Sequence, residues 1–261
     1  MSAAAHLSHA GQVVLVTGTG RGIGQAIADA HAAAGAKVVY LDHDPALAEA
    51  AAGAAAQRGA RTLAVAADVA DEDSVRAAVA RSADAFGPIT ALINNAGISP
   101  KSGSDGRKAP VWEMKANEWR RVIDVNLTGA FLCASAVVPF MRTQKRGAIV
   151  SISSVAGRTY CDIVGVHYAA SKAALIGFTK HLAGELGPYG ITVNAVAPGR
   201  IDTPLMRGTA PEANEAARMA TPLRRLGRPD DVAEMCLFLT SDRAAFVTGQ
   251  VCDVAGGWLL T

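Results

Sequence analysis

The chain alternates throughout between short runs rich in Val and Ile and longer Ala-rich amphipathic stretches. The short runs span 13–17, 37–41, 62–66, 89–94, 148–153, 192–197 and 250–254. Helical stretches lie between them at 23–34, 45–58, 71–86, 116–142, 167–187 and 229–239. Continuous apolar strands, rather than polar–apolar alternation, belong to a parallel sheet covered on both faces. Right-handed crossovers then close such units into a doubly wound, Rossmann-type α/β sheet of about seven strands.

Local punctuation agrees. Gly35, Gly59, Gly87 and Gly190 stand where helical runs give way to strands, as left-handed caps require. Asp71 opens a first helical turn that contains Glu72 and Asp73, which suits the positive end of a helix. Pro45 fits a first helical position, so the Ala-rich stretch after it reads as a helix and not a linker. No internal repeat or composition break marks a second domain. Residues 1–10 read as a mobile tail and 11–261 as one domain.

Two segments break the alternation. Residues 97–116 contain Pro100, Gly103, Gly106 and Pro110; residues 198–228 contain Pro204, Gly208, Pro211 and Pro222. Loops this long in a compact domain are usually functional or disordered. Both follow strands at the sheet edge where such folds bind ligands, and the second reads as a lid.

Charge excludes several classes of function. The 25 Lys and Arg against 23 Asp and Glu give a net charge of +2, with no basic stripe for nucleic acid and no acidic tail. Cys133, Cys161, Cys236 and Cys252 form no CxxC pair and no zinc spacing, and read as reduced thiols in the cytoplasm. The N-terminus lacks a basic segment and a long apolar stretch, and the apolar runs are far short of a membrane span.

The first strand ends in Thr17-Gly18-Thr19-Gly20-Arg21-Gly22-Ile23-Gly24, and a helix follows. Glycines let backbone approach a pyrophosphate, and the helix end offers free N–H groups to it. Asp42 ends the second strand. A carboxylate there accepts the hydroxyls of an adenosine ribose and repels a 2′-phosphate, so NAD is expected rather than NADP. Asp42 also fits a simple turn starter, and Arg21 could assist a phosphate.

The T-G-x-x-x-G-x-G spacing resembles the classical short-chain dehydrogenases/reductases. Further matches follow in the family's order over about residues 10–261: Asp68-Val69, Asn94-Asn95-Ala96-Gly97, Asn126, Ser154, Tyr168, Lys172 and Pro198-Gly199. The resemblance implies that Asp68 and Val69 border the adenine and that Asn95, Ala96 and Gly97 lie along the cofactor. On residues alone, Asn94 and Asn95 fit strand-end capping equally well. Ile201 and Thr203 would hold the nicotinamide carboxamide.

Tyr168 and Lys172 are four apart on one helix face. An ammonium beside a phenol stabilises the phenolate, which makes tyrosine a usable base. Of Ser153 and Ser154 only one can face the site, since adjacent strand residues point oppositely; the resemblance selects Ser154. It also implies that Asn126 bends its helix and holds a water behind Lys172.

The implied activity is hydride transfer between NAD(H) and a secondary alcohol or ketone, with Tyr168 as general acid/base. A second reading is an NADPH-dependent 3-oxoacyl-thioester reductase; a third is a non-catalytic nucleotide-binding scaffold. The partner is a small alcohol or ketone, with no nucleic acid and no membrane. His167 reads either as a substrate contact or as a surface residue. Lys101, Arg107 and Lys108 read as a solvated excursion or the border of a charged substrate site. The resemblance also implies a homotetramer, or a dimer, built on the two long helices and the last strand. Val137, Val138, Phe140, Phe178 and Trp258 could serve that interface or the core.

Overall fold

The computed structural model describes residues 8–103, 107–203 and 211–259. Seven strands form one sheet: β1 (Val13–Thr17), β2 (Lys37–Asp42), β3 (Arg61–Ala66), β4 (Ala91–Asn94), β5 (Gly147–Ile152), β6 (Ile191–Pro198) and β7 (Val251–Val254). All pairings are parallel, in the order β3-β2-β1-β4-β5-β6-β7. The order reverses direction between β1 and β4, and this is where open α/β sheets form a ligand crevice.

The strands read as unbroken apolar runs because both faces are covered. Leu15, Val39, Leu92, Ile149 and Val193 face one core, with Val75 and Val79 of α3 (Glu72–Phe86). Their neighbours Val14, Val16, Val38, Tyr40 and Val150 face the other. There they meet Ile27 of α1 (Gly22–Ala33), Ala51 of α2 (Pro45–Gln57) and Val232 of α8 (Pro229–Thr240). Alternation along each strand thus survives, but it sorts residues between two apolar cores.

The helix ends follow the expected chemistry. Asp71 caps α3 by accepting from the Ser74 N–H at 2.7 Å. Asp44 accepts from Ala46 and Leu47 ahead of α2, which starts at Pro45. Gly35, Gly59, Gly87 and Gly190 all have positive φ.

Two elements differ from the sequence expectation. The helix expected over 116–142 is α4 (Ala116–Ile123) and α5 (Gly129–Gln144), joined by a wide π turn at Asp124–Thr128. The segment read as a lid contains α7 (Pro211–Ala220). Alanine and glutamate make that stretch helical, and the surrounding prolines and glycine hid it. Residues 204–210 of that lid, Asp105 of the other loop and residues 1–7 of the expected tail lie outside the described residues.

The continuous helix 116–144 is long and apolar enough to cross a membrane by length and composition, although each of its apolar runs is short. Its Val122, Val125, Cys133, Val137 and Met141 are buried in the fold, which makes it a core helix. α6 (Val166–Leu186) packs beside it and carries Tyr168 and Lys172. The four cysteines are free thiols.

Candidate active site

The glycine turn between β1 and α1 leaves no room for side chains. Gly18 has φ +71°, and a Cβ on Gly24 would lie 2.1 Å from the Gly18 carbonyl oxygen and 2.3 Å from Asn95 Nδ2. The turn is therefore held against the end of β4. Asn95 Nδ2 donates to the carbonyls of Thr17 (2.9 Å) and Gly18 (3.1 Å). Thr17 Oγ1 accepts from the N–H groups of Asn95 and Ala96, both at 3.0 Å. The Asn95 side chain thus splices two loops together through its Nδ2. Gly22 and Ile23 open α1 with no capping side chain, and the preceding Arg21 is extended and exposed. The helix end therefore keeps its N–H groups for an anion.

Asp42 is 7% exposed at the tip of β2. Gly20 N–H donates to its Oδ2 at 2.8 Å and Asp44 N–H to its Oδ1 at 3.1 Å; His43 Nδ1 lies 3.0 Å from Oδ1. These contacts fix the carboxylate and leave lone pairs for further donors. Asp68 accepts from the Ala70 N–H at 2.9 Å and pairs with Arg121 at 3.3 Å, while Val69 is buried against Gly129.

The candidate reacting groups meet where β5 ends. Ser153 turns inward, its hydroxyl donating to the Lys172 carbonyl at 2.7 Å. Ser154 is the one left to face Tyr168: the two side chains hydrogen-bond, and Ser154 Oγ also accepts from the Ala156 N–H at 3.1 Å. Lys172 is 3% exposed. Its Nζ donates to the Ile152 carbonyl at 2.6 Å and stands 5.5 Å from the Tyr168 ring centre. A Cβ on Gly97 would lie 3.4 Å from that Nζ, which puts the end of the Asn94–Gly97 segment beside the lysine.

Electrostatics here differ from the sequence expectation. Burial lowers Lys172 from its ordinary 10.5 to about 8. Burial also raises Tyr168, more than the Ser154 hydrogen bond lowers it. Lys172 is not among the groups that shift Tyr168 in the protein alone.

Asn126 is buried inside the π turn. Its Oδ1 accepts from the Ile98 N–H at 2.8 Å; its Nδ2 donates to the Ile98 carbonyl at 3.0 Å and to Ser171 Oγ at 3.1 Å. Ser171 donates in turn to the Tyr168 carbonyl at 2.8 Å. The π turn thus straps the strand extension at Ile98 to the helix bearing Tyr168. π turns recur at functional sites.

His167 is neither on the surface nor positioned as a simple substrate contact. It is buried, donates through Nε2 to Glu118 at 2.9 Å and accepts from the Tyr168 N–H through Nδ1 at 2.7 Å. Hydrogen bonds from Ser102 and then His167 hold the Glu118 carboxyl below the usual range. Sequence reasoning missed Glu118 and Ser171; three residues after Tyr168 on the same helix face, Ser171 carried a spacing signal.

Pro198 ends β6, and Gly199 N–H donates to the Val254 carbonyl at 3.0 Å. Ile201 is buried and bridges to Gly227, while Thr203 is half-buried at the limit of the described segment. A cavity of about 790 Å³ opens next to this stretch, lined by Arg200, Thr221, Leu223, Phe238, Asp253 and Gly256 among others. Neither Ser154, Tyr168 nor Lys172 borders it.

Comparison with known proteins agrees with this geometry. The family model described as enoyl-(acyl carrier protein) reductase matches residues 18–259. A 3-oxoacyl-[acyl-carrier-protein] reductase of Synechocystis is 43% identical, over 95% of this chain and 97% of its own. A cis-4-hydroxycyclohexanecarboxylate dehydrogenase of Sinomonas cyclohexanicum is 41% identical, over 95% and 96%. A crystal structure of a Brucella melitensis 3-oxoacyl-[acyl-carrier protein] reductase with bound NAD is 49% identical, with a TM-score of 0.90 over 97% of this chain and 93% of that one. The Gly18–Gly24 cradle, which a side chain would fill, suits a dinucleotide pyrophosphate. The chain belongs to the classical short-chain dehydrogenase/reductase family and is an oxidoreductase that uses a nicotinamide cofactor on CH–OH groups and ketones.

Proposed function

We propose that the chain interconverts a secondary alcohol and a ketone with NAD(H), residues 11–261 acting as one unit. Asp42 is the observation that carries the cofactor choice. Its buried, hydrogen-bonded carboxylate can accept a ribose diol and would repel a 2′-phosphate. Gly18, Arg21, Gly22, Ile23 and Gly24 would hold the pyrophosphate. Asp68 and Val69 would border the adenine, and the backbone of Asn95, Ala96 and Gly97 would lie along the cofactor. Pro198, Gly199, Ile201 and Thr203 would shape the nicotinamide end, with Tyr168 and Lys172 on its ribose. When bound, the nicotinamide accepts or supplies the hydride.

The chain's own residues move the proton. In oxidation, Tyr168 as phenolate takes the alcohol proton while Ser154 binds the same oxygen. In reduction the Tyr168 phenol returns it. Lys172 stabilises the phenolate once charge develops, and a water at Asn126 relays the proton outward. Fluorescence titration with NADH and NADPH tests the cofactor assignment. NADH should bind at least tenfold more tightly, and Asp42→Ala should erase the difference; tighter NADPH binding would reject NAD.

A second reading is an NADPH-dependent 3-oxoacyl-thioester reductase; the names of the relatives support its substrate class, while the Brucella melitensis structure holds NAD. Turnover of an acetoacetyl thioester with NADPH, exceeding that of simple ketones with NADH, would favour it. The setting we propose is cytoplasmic, with reduced thiols. The proposed assembly is a homotetramer through α4–α5, α6 and β7.

A further inference from the structure

We propose that Arg200 is an anion-binding residue of the active-site cleft, so that the substrate is a hydroxy acid or oxo acid whose carboxylate sits on its guanidinium. This rests on the NAD(H)-linked alcohol and ketone reading proposed above. Arg200 lies two residues beyond the end of β6, next to the strand that ends at Ser153–Ser154. Its side chain is buried, and the residue is 8% exposed. One terminal nitrogen, Nη2, donates to Asn214 Oδ1 on α7 at 2.9 Å. The Nε–H is buried and has no hydrogen-bond partner. Among the described residues no carboxylate pairs with it.

A guanidinium stays charged under ordinary conditions, so burying one without a counter-ion is costly. A neutral amide on one nitrogen does not offset that cost. The missing partner is an anion. The guanidinium plane with its open Nε–H matches two carboxylate oxygens lying in one plane.

The surroundings say on which side the anion lies. Arg200 is within electrostatic reach of Cys161 and Asp162, and Cys161 is within reach of the Tyr168 phenol. Lys108 also acts on Cys161, its Nζ standing 5.2 Å above the exposed Tyr160 ring. Arg200 and Lys108 therefore both act on Cys161, the group within reach of the Tyr168 phenol, against the single carboxylate of Asp162. Arg200 also lines the 790 Å³ cavity. Its other charged lining residues are Asp230, Asp231, Glu234 and Asp253 with Arg225 and Arg228; Arg225 is already paired with Asp231, and Asp253 with Arg158. That cavity has no surplus positive charge for an anion. The cleft beside Tyr168 does.

The test separates this proposal from the reading beneath it. Calorimetry would measure cyclohexanecarboxylate and cyclohexanecarboxamide binding to the NADH complex of the wild type, Arg200→Met and Arg200→Lys. Expected is at least tenfold tighter binding of the acid by the wild type, lost in Arg200→Met and partly kept in Arg200→Lys. Oxidation of 3-hydroxybutyrate and 4-hydroxycyclohexanecarboxylate would then be compared with that of their methyl esters. The acid-over-ester ratio of kcat/KM should fall about 100-fold in Arg200→Met, mainly through KM. Equal binding of acid and amide by the wild type would overturn the proposal. So would an equal loss on acids and esters, which would mark Arg200 as a brace for α7 only. Should the acid bind and neither alcohol be oxidised with NAD, the proposed NAD(H)-linked alcohol and ketone reading fails and the anion site stands.

Discussion

At the scale of single residues, the proposed site is built on one phenol and one buried amine. Tyr168→Phe keeps the ring that packs beside Lys172 and removes only the proton carrier. Activity should fall by about 10²–10⁴-fold, with circular dichroism and NADH binding unchanged. Lys172 yields a prediction about pH. Its folded-state value of about 8 is below its ordinary 10.5, so below pH 8 the folded protein holds a charge that burial penalises. The penalty is relieved as pH rises from 8 to 10.5. Denaturant melts of the wild type and Lys172→Met should show the wild type gaining on the variant across that window, by on the order of 3 kcal/mol. A difference independent of pH would mean that the folded amine keeps its ordinary value near 10.5. Tyr168 and Lys172 were legible in the sequence because their spacing is local. The Glu118–His167 pair was not, because it joins residues 49 apart, and no local spacing records which distant carboxylate a buried imidazole meets.

At the scale of elements, the strands were legible almost to the residue. Burial on both faces writes a strand as an unbroken apolar run. The π turn at Asp124–Thr128 was not, since one widened turn leaves the apolar pattern of a helix nearly intact. Its role shows only in three dimensions, where Asn126 satisfies both backbone groups of Ile98. Asn126→Ala leaves those two groups without their partner. A loss of about 1–3 kcal/mol for each buried group left unpaired is expected. Chemical denaturation would measure it, alongside a fall in kcat as the strap between Ile98 and the Tyr168 helix loosens. An Ala variant as stable as the parent would show that water replaces the amide. α7 was hidden for a different reason: Pro and Gly on either side of a ten-residue helix outweigh its own composition in any local reading.

At the scale of the whole molecule, the face expected to join subunits needs one revision. Val137 is fully buried in the core and cannot reach a partner, whereas Val138, Phe140 and Phe178 pack only partly against it. Phe131 of α5 is half-exposed, and Trp119 of α4 is also accessible. Light scattering should give a mass four times that of one chain, and Phe131→Glu should reduce it; a wild-type monomer would reject the assembly. The parallel sheet has a further consequence for how this chain tolerates change. Every strand points its C-terminal end at the chemistry, so the return loops from helix to strand gather at the far edge. At Gly59 and Gly87 an added Cβ would meet nothing within 4 Å, while at Gly24 it would strike a carbonyl at 2.1 Å. A short flexible insertion after Gly59 should therefore leave turnover near the parental rate, and the same insertion after Gly22 should abolish it. One edge of the sheet can be rewritten as packaging, and the other only at the expense of the reaction.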